Sequence, residues 1–378
     1  MTPSRSPMFR YLAVLTVASM VGLQGWRTLF NNFAVEVAGL DGGHVGVIQS
    51  VREIPGFLTF LVVYALLVVR EHRLAALSIV LLGLGVGITG FLPSYGGLVA
   101  TTLLMSLGFH YYETANQSLT LQYFDRETSP LVFGRLRAVA AASNIAVGAA
   151  IFVLAPFLGY RELYLAVGGL VLLAGAWALT RDPSRRDLPL QRKGMVLRRR
   201  YLLYYVLTFL AGARRQIFVA FSVFLLVKVF RYTVREITVL FLLNNAVNYF
   251  VSPWIGRAIV RFGERRVLSV EYGLLVFIFL GYAFTGSRWV AAGLYVIDHI
   301  LFNFSIAIRT YFQKIGDPED AAPTMAVGFA INHVAAVVLP AVGGALWMID
   351  YRVPFLAGAA LSLVSVAAVQ RIRVPARA

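Results

Sequence analysis

Apolar runs of bilayer length recur along this chain, and they constrain its fold more than any other feature. About twelve such runs are present, each long enough to cross a membrane as a helix. The first six are Tyr11–Val37, Val45–Val69, Leu74–Leu92, Leu98–Leu121, Ala138–Leu158 and Leu163–Leu179. The next six are Leu202–Val227, Ile237–Ile255, Val267–Phe284, Val290–Phe312, Met325–Met348 and Val353–Val369. The chain is 59% hydrophobic and 14% charged, more apolar surface than a soluble domain can hide. An all-α, multi-pass membrane protein is therefore expected.

The chain contains no cysteine, which excludes disulfides and thiolate metal sites. The formal net charge of +16 invites a nucleic-acid reading. Most of that charge, however, lies in short loops between apolar runs, so nucleic acid is not an expected partner. Arg5 and Arg10 precede the apolar run Tyr11–Val21 as in a secretory signal. No small-residue cleavage site follows, so this run reads as an uncleaved first span.

The segment Arg181–Arg200, RDPSRRDLPLQRKGMVLRRR, is basic and contains two prolines. It reads as a linker between two six-helix halves, 1–180 and 201–378, with 181–200 between them. With the N-terminus in the cytoplasm, about 23 of the 34 Lys and Arg fall on the cytoplasmic side. Both termini and the linker are then cytoplasmic, and the location is the cell (inner) membrane. Lys228, Arg231 and Arg235 form an outer basic cluster that runs against this bias.

Inside the seventh run, YLLYYVLTFLAGARRQIFVAFSVFLLVKVF, Arg214 and Arg215 sit side by side. An arginine at mid-membrane depth costs about 2.5–3.5 kcal/mol on insertion scales. Such a pair persists where water, a counter-charge or a ligand meets it. Structural ion pairing with buried acids is one reading, and anion binding in a central cavity is the other.

The two halves share features at one offset. Arg27 and Arg215 are 188 positions apart (215 − 27), and Asn144 and Asn332 are separated by the same 188. That shift also places His110 on Asp298. A duplicated half is a common transporter construction.

The stretch Gly256-Arg257-Ala258-Ile259-Val260-Arg261-Phe262-Gly263-Glu264-Arg265-Arg266 resembles the cytoplasmic loop G-x-x-x-D-R-x-G-R-R of the major facilitator superfamily. Gly256, Arg261, Gly263 and Arg265 match, while Val260 stands at the acidic position. Ala155-Pro156-Phe157-Leu158-Gly159 resembles the Pro/Gly-rich end of that family's fifth helix. The resemblance implies two pseudo-symmetric six-helix bundles, alternating access, a gating role for the matched loop, and a cavity lined by spans one, four, seven and ten. It also implies a secondary transporter rather than an enzyme. Organophosphate/phosphate antiporters of the superfamily hold phosphate with paired arginines from the first and seventh helices, and Arg27 with Arg215 is similar to that constellation.

Polar residues gather at matching depth in several spans. Gln24, Arg27 and Asn31 fall at i, i+3 and i+7, on one helical face. The fourth span carries His110, Glu113, Asn116 and Gln117. The eighth carries Asn244 and Asn248, and the tenth Asp298, His299, Asn303, Ser305 and Arg309. Asn332 and His333 lie mid-span in the eleventh. A lone intramembrane Asn is most often interhelical glue. The concentration of such groups points instead to a solute site made by Arg27, Arg215, Gln24, Asn31, Asn144, Asn244, Asn303 and Asn332. Guanidinium forks suit carboxylate, phosphate or sulfate.

Coupling needs a group whose charge changes during the cycle. Glu113, Asp298, His299 and His333 are the candidates, Glu113 first and Asp298 second. Of the two arginines, the offset selects Arg215 as the partner of Arg27, leaving Arg214 to face the bundle and pair with an acid such as Asp298. The expected partners are a small, anionic solute, a proton or counter-ion, and the bilayer, with the chain a monomer and no cofactor or metal. The competing readings are a broad-specificity exporter of amphiphiles, a membrane-embedded enzyme and a transporter-like sensor.

Overall fold

A computed structural model describes residues 6–374 apart from Arg186 and Thr233, with the backbone alone at 42, 43, 46, 234, 235, 238, 337, 338, 340, 341 and 345. Arg5 and the side chain of Arg235, both weighed above, lie outside the described residues. The described residues are mostly helical, whereas the described part of 181–198 forms no helix. Its helices are α1 (Pro7–Glu36), α2 (Gly42–Phe57), α3 (Val62–Ala65), α4 (Glu71–Thr89), α5 (Tyr95–Tyr123), α6 (Ser129–Leu154), α7 (Tyr160–Leu179) and α8 (Leu202–Ile217). They continue as α9 (Val223–Lys228), α10 (Val234–Phe262), α11 (Glu264–Phe284), α12 (Arg288–Leu301), α13 (Ile306–Ile315), α14 (Ala321–Ile349) and α15 (Arg352–Val369).

Among the described residues, nine helical stretches are long and apolar enough to cross a membrane. Three further helices, α5, α10 and α14, have 29 residues each. At about 1.5 Å per residue, such a helix exceeds the thickness of a hydrocarbon core. Together these rods follow the order of the expected spans.

Local chemistry sets many helix starts. Ser94 Oγ accepts from the Gly97 amide (3.1 Å) at the start of α5, and Asp125 Oδ1 accepts from the Thr128 amide (2.8 Å) before α6. Three spans are broken rather than continuous. Pro55 lies inside α2, and the span turns 3₁₀ over Leu58–Leu61 before α3 resumes. A π turn, Phe218–Ser222, separates α8 from α9. A 3₁₀ turn, Phe302–Ser305, separates α12 from α13. The last two breaks begin three residues after Arg215 and three after His299.

The chain divides into two compact units. The first comprises residues 1–124, 139–196 and 318–330. In it α4 packs on α5 and α7, and α1 packs on α7. Small residues allow this: a β-carbon on Gly168 of α7 would collide with the backbone of Gly87 on α4. Polar bonds add register. Tyr11 donates to the His72 carbonyl (2.6 Å), and the Thr16 and Tyr112 hydroxyls are 2.8 Å apart. Gln191 and Arg192 of the linker bind the start of α14. Gln191 Oε1 accepts from the Ala322 amide (2.9 Å), and Arg192 pairs with Glu319 (3.1 Å) and with the fully buried Asp320 (2.7 Å).

The second unit comprises residues 125–138, 197–317 and 331–378. There α11 packs on α15 and α12, and α8 packs on α15. The rest of the linker is fastened here. Arg198 pairs with Asp317 (2.8 Å), Arg200 pairs with the same carboxylate, and Tyr201 Oη accepts from the Asp317 amide (3.1 Å). The hydrogen bond from Arg200 holds the Asp317 carboxyl below its ordinary range. The central segment is thus a strapped connection, with basic residues bound at each end of the α13–α14 turn.

Gly256 of α10 lies close against the start of α6. A β-carbon there would strike the Pro130 carbonyl oxygen and crowd the Leu131 backbone at the start of α6. Gly256→Leu should therefore cost about 1–3 kcal/mol through overpacking. A lowered melting temperature in detergent is the expected reading; an unchanged one would show that this crossing relaxes freely.

Candidate functional site

The first unit carries an exposed polar face on α1. Trp26, Leu29, Phe30 and Phe33 are buried on one side of the helix, while Arg27, Thr28, Asn31 and Asn32 are exposed and Gln24 is half-buried. Thr28 donates to the Gln24 carbonyl (2.8 Å), and Gln24 Nε2 reaches Thr28 Oγ1 (3.4 Å). An arginine and two asparagines exposed on a spanning helix do not suit hydrocarbon, so this face fronts water. Asn32 donates to Glu36 (2.8 Å), as does Tyr160 (2.6 Å), closing the face at its far end.

Behind it in the same unit, α5 keeps His110, Asn116 and Gln117 buried and Glu113 half-buried. His110 Nδ1 lies 3.0 Å from Ser106 Oγ, which donates to the Arg52 carbonyl. Arg52 pairs with Glu53 at 2.7 Å, and its guanidinium lies 5.8 Å from the Trp26 ring. Asn144 on α6 is half-buried.

In the second unit the two adjacent arginines separate. Arg214 is 4% exposed, and Arg215 is half-buried. Arg214 stacks 3.8 Å from the Tyr272 ring centre, and its Nε donates to the Leu210 carbonyl (3.2 Å). Arg215 lies over Phe302, in the 3₁₀ turn of span ten, at 5.3 Å. The charge of Arg214 reaches both Asp298 on α12 and Glu271 on α11. The expected Arg214–Asp298 ion pair is not formed, because the guanidinium is turned onto the Tyr272 ring instead. No direct ion pair of Arg214 is present among the described residues, and the cation sits on an aromatic face.

The asparagines divide by use. Asn303 is buried, donates to Asn248 Oδ1 (2.8 Å) and the His299 carbonyl (3.3 Å), and so ties the broken tenth span to α10. Asn332 donates to the Thr208 carbonyl (3.2 Å), where Gly212 lets α8 and α14 close on each other. Asn244 is buried, and neither amide atom is hydrogen-bonded among the described residues. His299 lies beside Phe218 (6.0 Å) and Tyr295 (6.5 Å), and His333 is buried on α14. The tenth-span stripe of Asp298, Ser305 and Arg309 is interrupted by the 3₁₀ turn, and Arg309 lies over Phe133 at 5.6 Å.

Of the loop residues, Gly263 has φ +78°, a conformation that favours glycine, and it starts α11. Arg261 lies over Phe262 (5.2 Å), and Arg265 donates to Gln370 (3.0 Å). With Val260 exposed, the buried acid of this loop is Glu264, paired with Lys314 at 2.8 Å.

Glu271 has no place in the sequence-based site. It stands alone in the run VLSVEYGLLVFIFLGYAF, with no polar stripe beside it. The one available signal is the acid itself, in the middle of a spanning segment.

A sequence model of the Major Facilitator Superfamily matches residues 12–322. No curated protein matches the sequence. Solved structures match over nearly the whole chain. The human organic anion transporter MFSD10 (TETRAN) is 15% identical with a TM-score of 0.72, covering 98% of this chain and 100% of that one. The E. coli fucose:proton symporter FucP is 13% identical with a TM-score of 0.78, covering 97% and 98%. A bacterial homologue of the iron transporter ferroportin in an outward-facing state is 16% identical with a TM-score of 0.72, covering 96% and 98%. At such identities these likenesses describe the fold alone. With its motif loop in place and most of its length matched by the family's sequence model, this multi-pass membrane chain belongs to the Major Facilitator Superfamily.

Proposed function

We propose that the chain is a secondary active transporter that carries a small organic or inorganic anion by alternating access, driven by protons or by exchange. The observation that carries this reading is the exposed α1 face, where Arg27 stands among Gln24, Thr28 and Asn31. A guanidinium held at water in a spanning helix offers a bidentate site for a carboxylate, phosphate or sulfate. Arg215, at the same place in the second half of the sequence, is the matching cation. The fold hosts such cargo elsewhere: one like-folded protein is an organic anion transporter and another a proton symporter. We place the halves at 1–180 and 201–378, with the 181–200 linker and both termini in the cytoplasm, as the loop charge bias favours.

A thermal-shift screen of purified protein against carboxylates, phosphates, sulfate and lipophilic cations tests the cargo class. Only a ligand that binds the folded state stabilises it by mass action. Stabilisation by anions is expected; stabilisation by lipophilic cations alone would favour an exporter of amphiphiles.

Glu113 is the first coupling candidate. Glu113→Gln should abolish concentrative transport while leaving exchange partly intact, because an amide hydrogen-bonds without carrying a proton through the cycle. Accumulation and counterflow of the anion identified by the screen, in proteoliposomes, separate the two. Full accumulation in the variant would move the role to the acids of the second unit.

A further inference from the structure

Three ionisable groups from three helices are buried inside the second unit: Arg214 of α8, Glu271 of α11 and Asp298 of α12. They are 4%, 3% and 4% exposed. The charge of Arg214 reaches both acids, and each acid lies within reach of the other. Arg214 Nη1, Glu271 Oε2 and Asp298 Oδ2 are fully buried and make no hydrogen bond among the described residues. Two carboxylates against one guanidinium would leave one uncompensated negative charge in an interior that cannot solvate it, a costly state.

We infer that Glu271 and Asp298 together hold one exchangeable proton beside Arg214, forming a proton-binding site within the second unit. A proton completes the charge balance and turns one carboxylate into a donor. A metal cation fits less well, since it demands several oxygen ligands and would sit against a guanidinium of its own sign. The other titratable groups that sense Asp298 or Glu271 are Tyr272 and Tyr282 of α11 and Tyr295 of α12. From α10 the neutral Asn244 lies beside Tyr295, and α13 carries Arg309 beside Tyr204. α14 brings only His333 to this unit, and the buried positions of α15 carry no ionisable residue. The π turn at Phe218–Ser222 and the 3₁₀ turn at Phe302–Ser305 follow Arg214 and Asp298 in their spans, so a change in the triad is applied next to two irregular segments. Only the use of the proton in transport rests on the transporter reading; the site itself does not.

Infrared difference spectroscopy of the purified full-length protein, titrated with protons alone and labelled in turn at aspartate and glutamate carboxyls, tests the inference. The wild type should show a protonated-carboxyl band that is lost on alkalinisation. Asp298→Asn and Glu271→Gln should each remove that band, because the remaining carboxylate is balanced by Arg214. Arg214→Gln should roughly double it, since both acids must then be neutral. The two single variants test the count independently, so one that fails to fold leaves the other. A wild type without such a band, or a band unchanged in both acid variants, overturns the inference. Sodium-dependent stabilisation at fixed pH that is lost in Asp298→Asn would overturn it in favour of a metal site. No anion is added, so a failure here leaves the anion-carrier reading standing, and a failed anion screen leaves this site standing.

Discussion

Arg214→Leu should destabilise the protein by about 3–5 kcal/mol at alkaline pH, the usual cost of leaving a buried charge without its partner. The cation is 4% exposed, and the two acids that feel its charge, Glu271 and Asp298, are buried as deeply. Removing it obliges both carboxyls to remain neutral. The deficit should therefore shrink as added acid neutralises them and grow as the pH rises. Arg214→Lys keeps the charge but loses the planar stack on Tyr272, whose ring centre is 3.8 Å away. That loss is smaller, about 0.5–2 kcal/mol. Thermal unfolding of wild type and both variants in one detergent, at several pH values, makes the comparison. Equal stability of the leucine and lysine variants across the range would show that Arg214 does not neutralise the acids.

Much of this architecture was legible in the sequence because the bilayer writes it there. A spanning helix needs an apolar run of fixed length, and each run between Tyr11 and Val369 announces itself. The adjacent arginines were also legible, since a charge in such a run needs a reason. Their different environments follow from helix geometry, because neighbours on a helix point about 100° apart. Other features leave no such mark. The π turn occupies FVAFS and the 3₁₀ turn FNFS, sequences without glycine or proline that would serve equally well in a regular helix. Asn303 offers the same side chain whether it meets a solute or Asn248, and only its partner across the bundle decides. Glu271 lacks the periodic polar neighbours that drew attention to α1, α5 and α12. The prolines and charge of the linker mark it as a connection between halves, yet its ties to Asp317, Glu319, Asp320 and Ala322 depend on residues more than a hundred positions away.

Arg27→Lys and Arg215→Lys should each weaken anion binding at least about tenfold, or about 1.4 kcal/mol. Lysine preserves the charge at both positions but cannot present two parallel N–H donors. Neither residue is as deeply buried as Arg214: Arg27 is exposed on the polar face of α1, and Arg215 is half-buried. Their replacement should therefore leave the fold nearly as stable as before, whereas Arg214→Lys should act on stability more than on affinity. The measurement that bears most directly on anion carriage is the affinity of the best-stabilising anion for wild type, Arg27→Lys and Arg215→Lys, taken with the melting temperature of each in the same detergent. The account predicts weakened binding in both variants with melting temperatures near the wild-type value. Unchanged affinity in both, with lowered melting temperatures, would contradict it and assign the two arginines to holding the helices together.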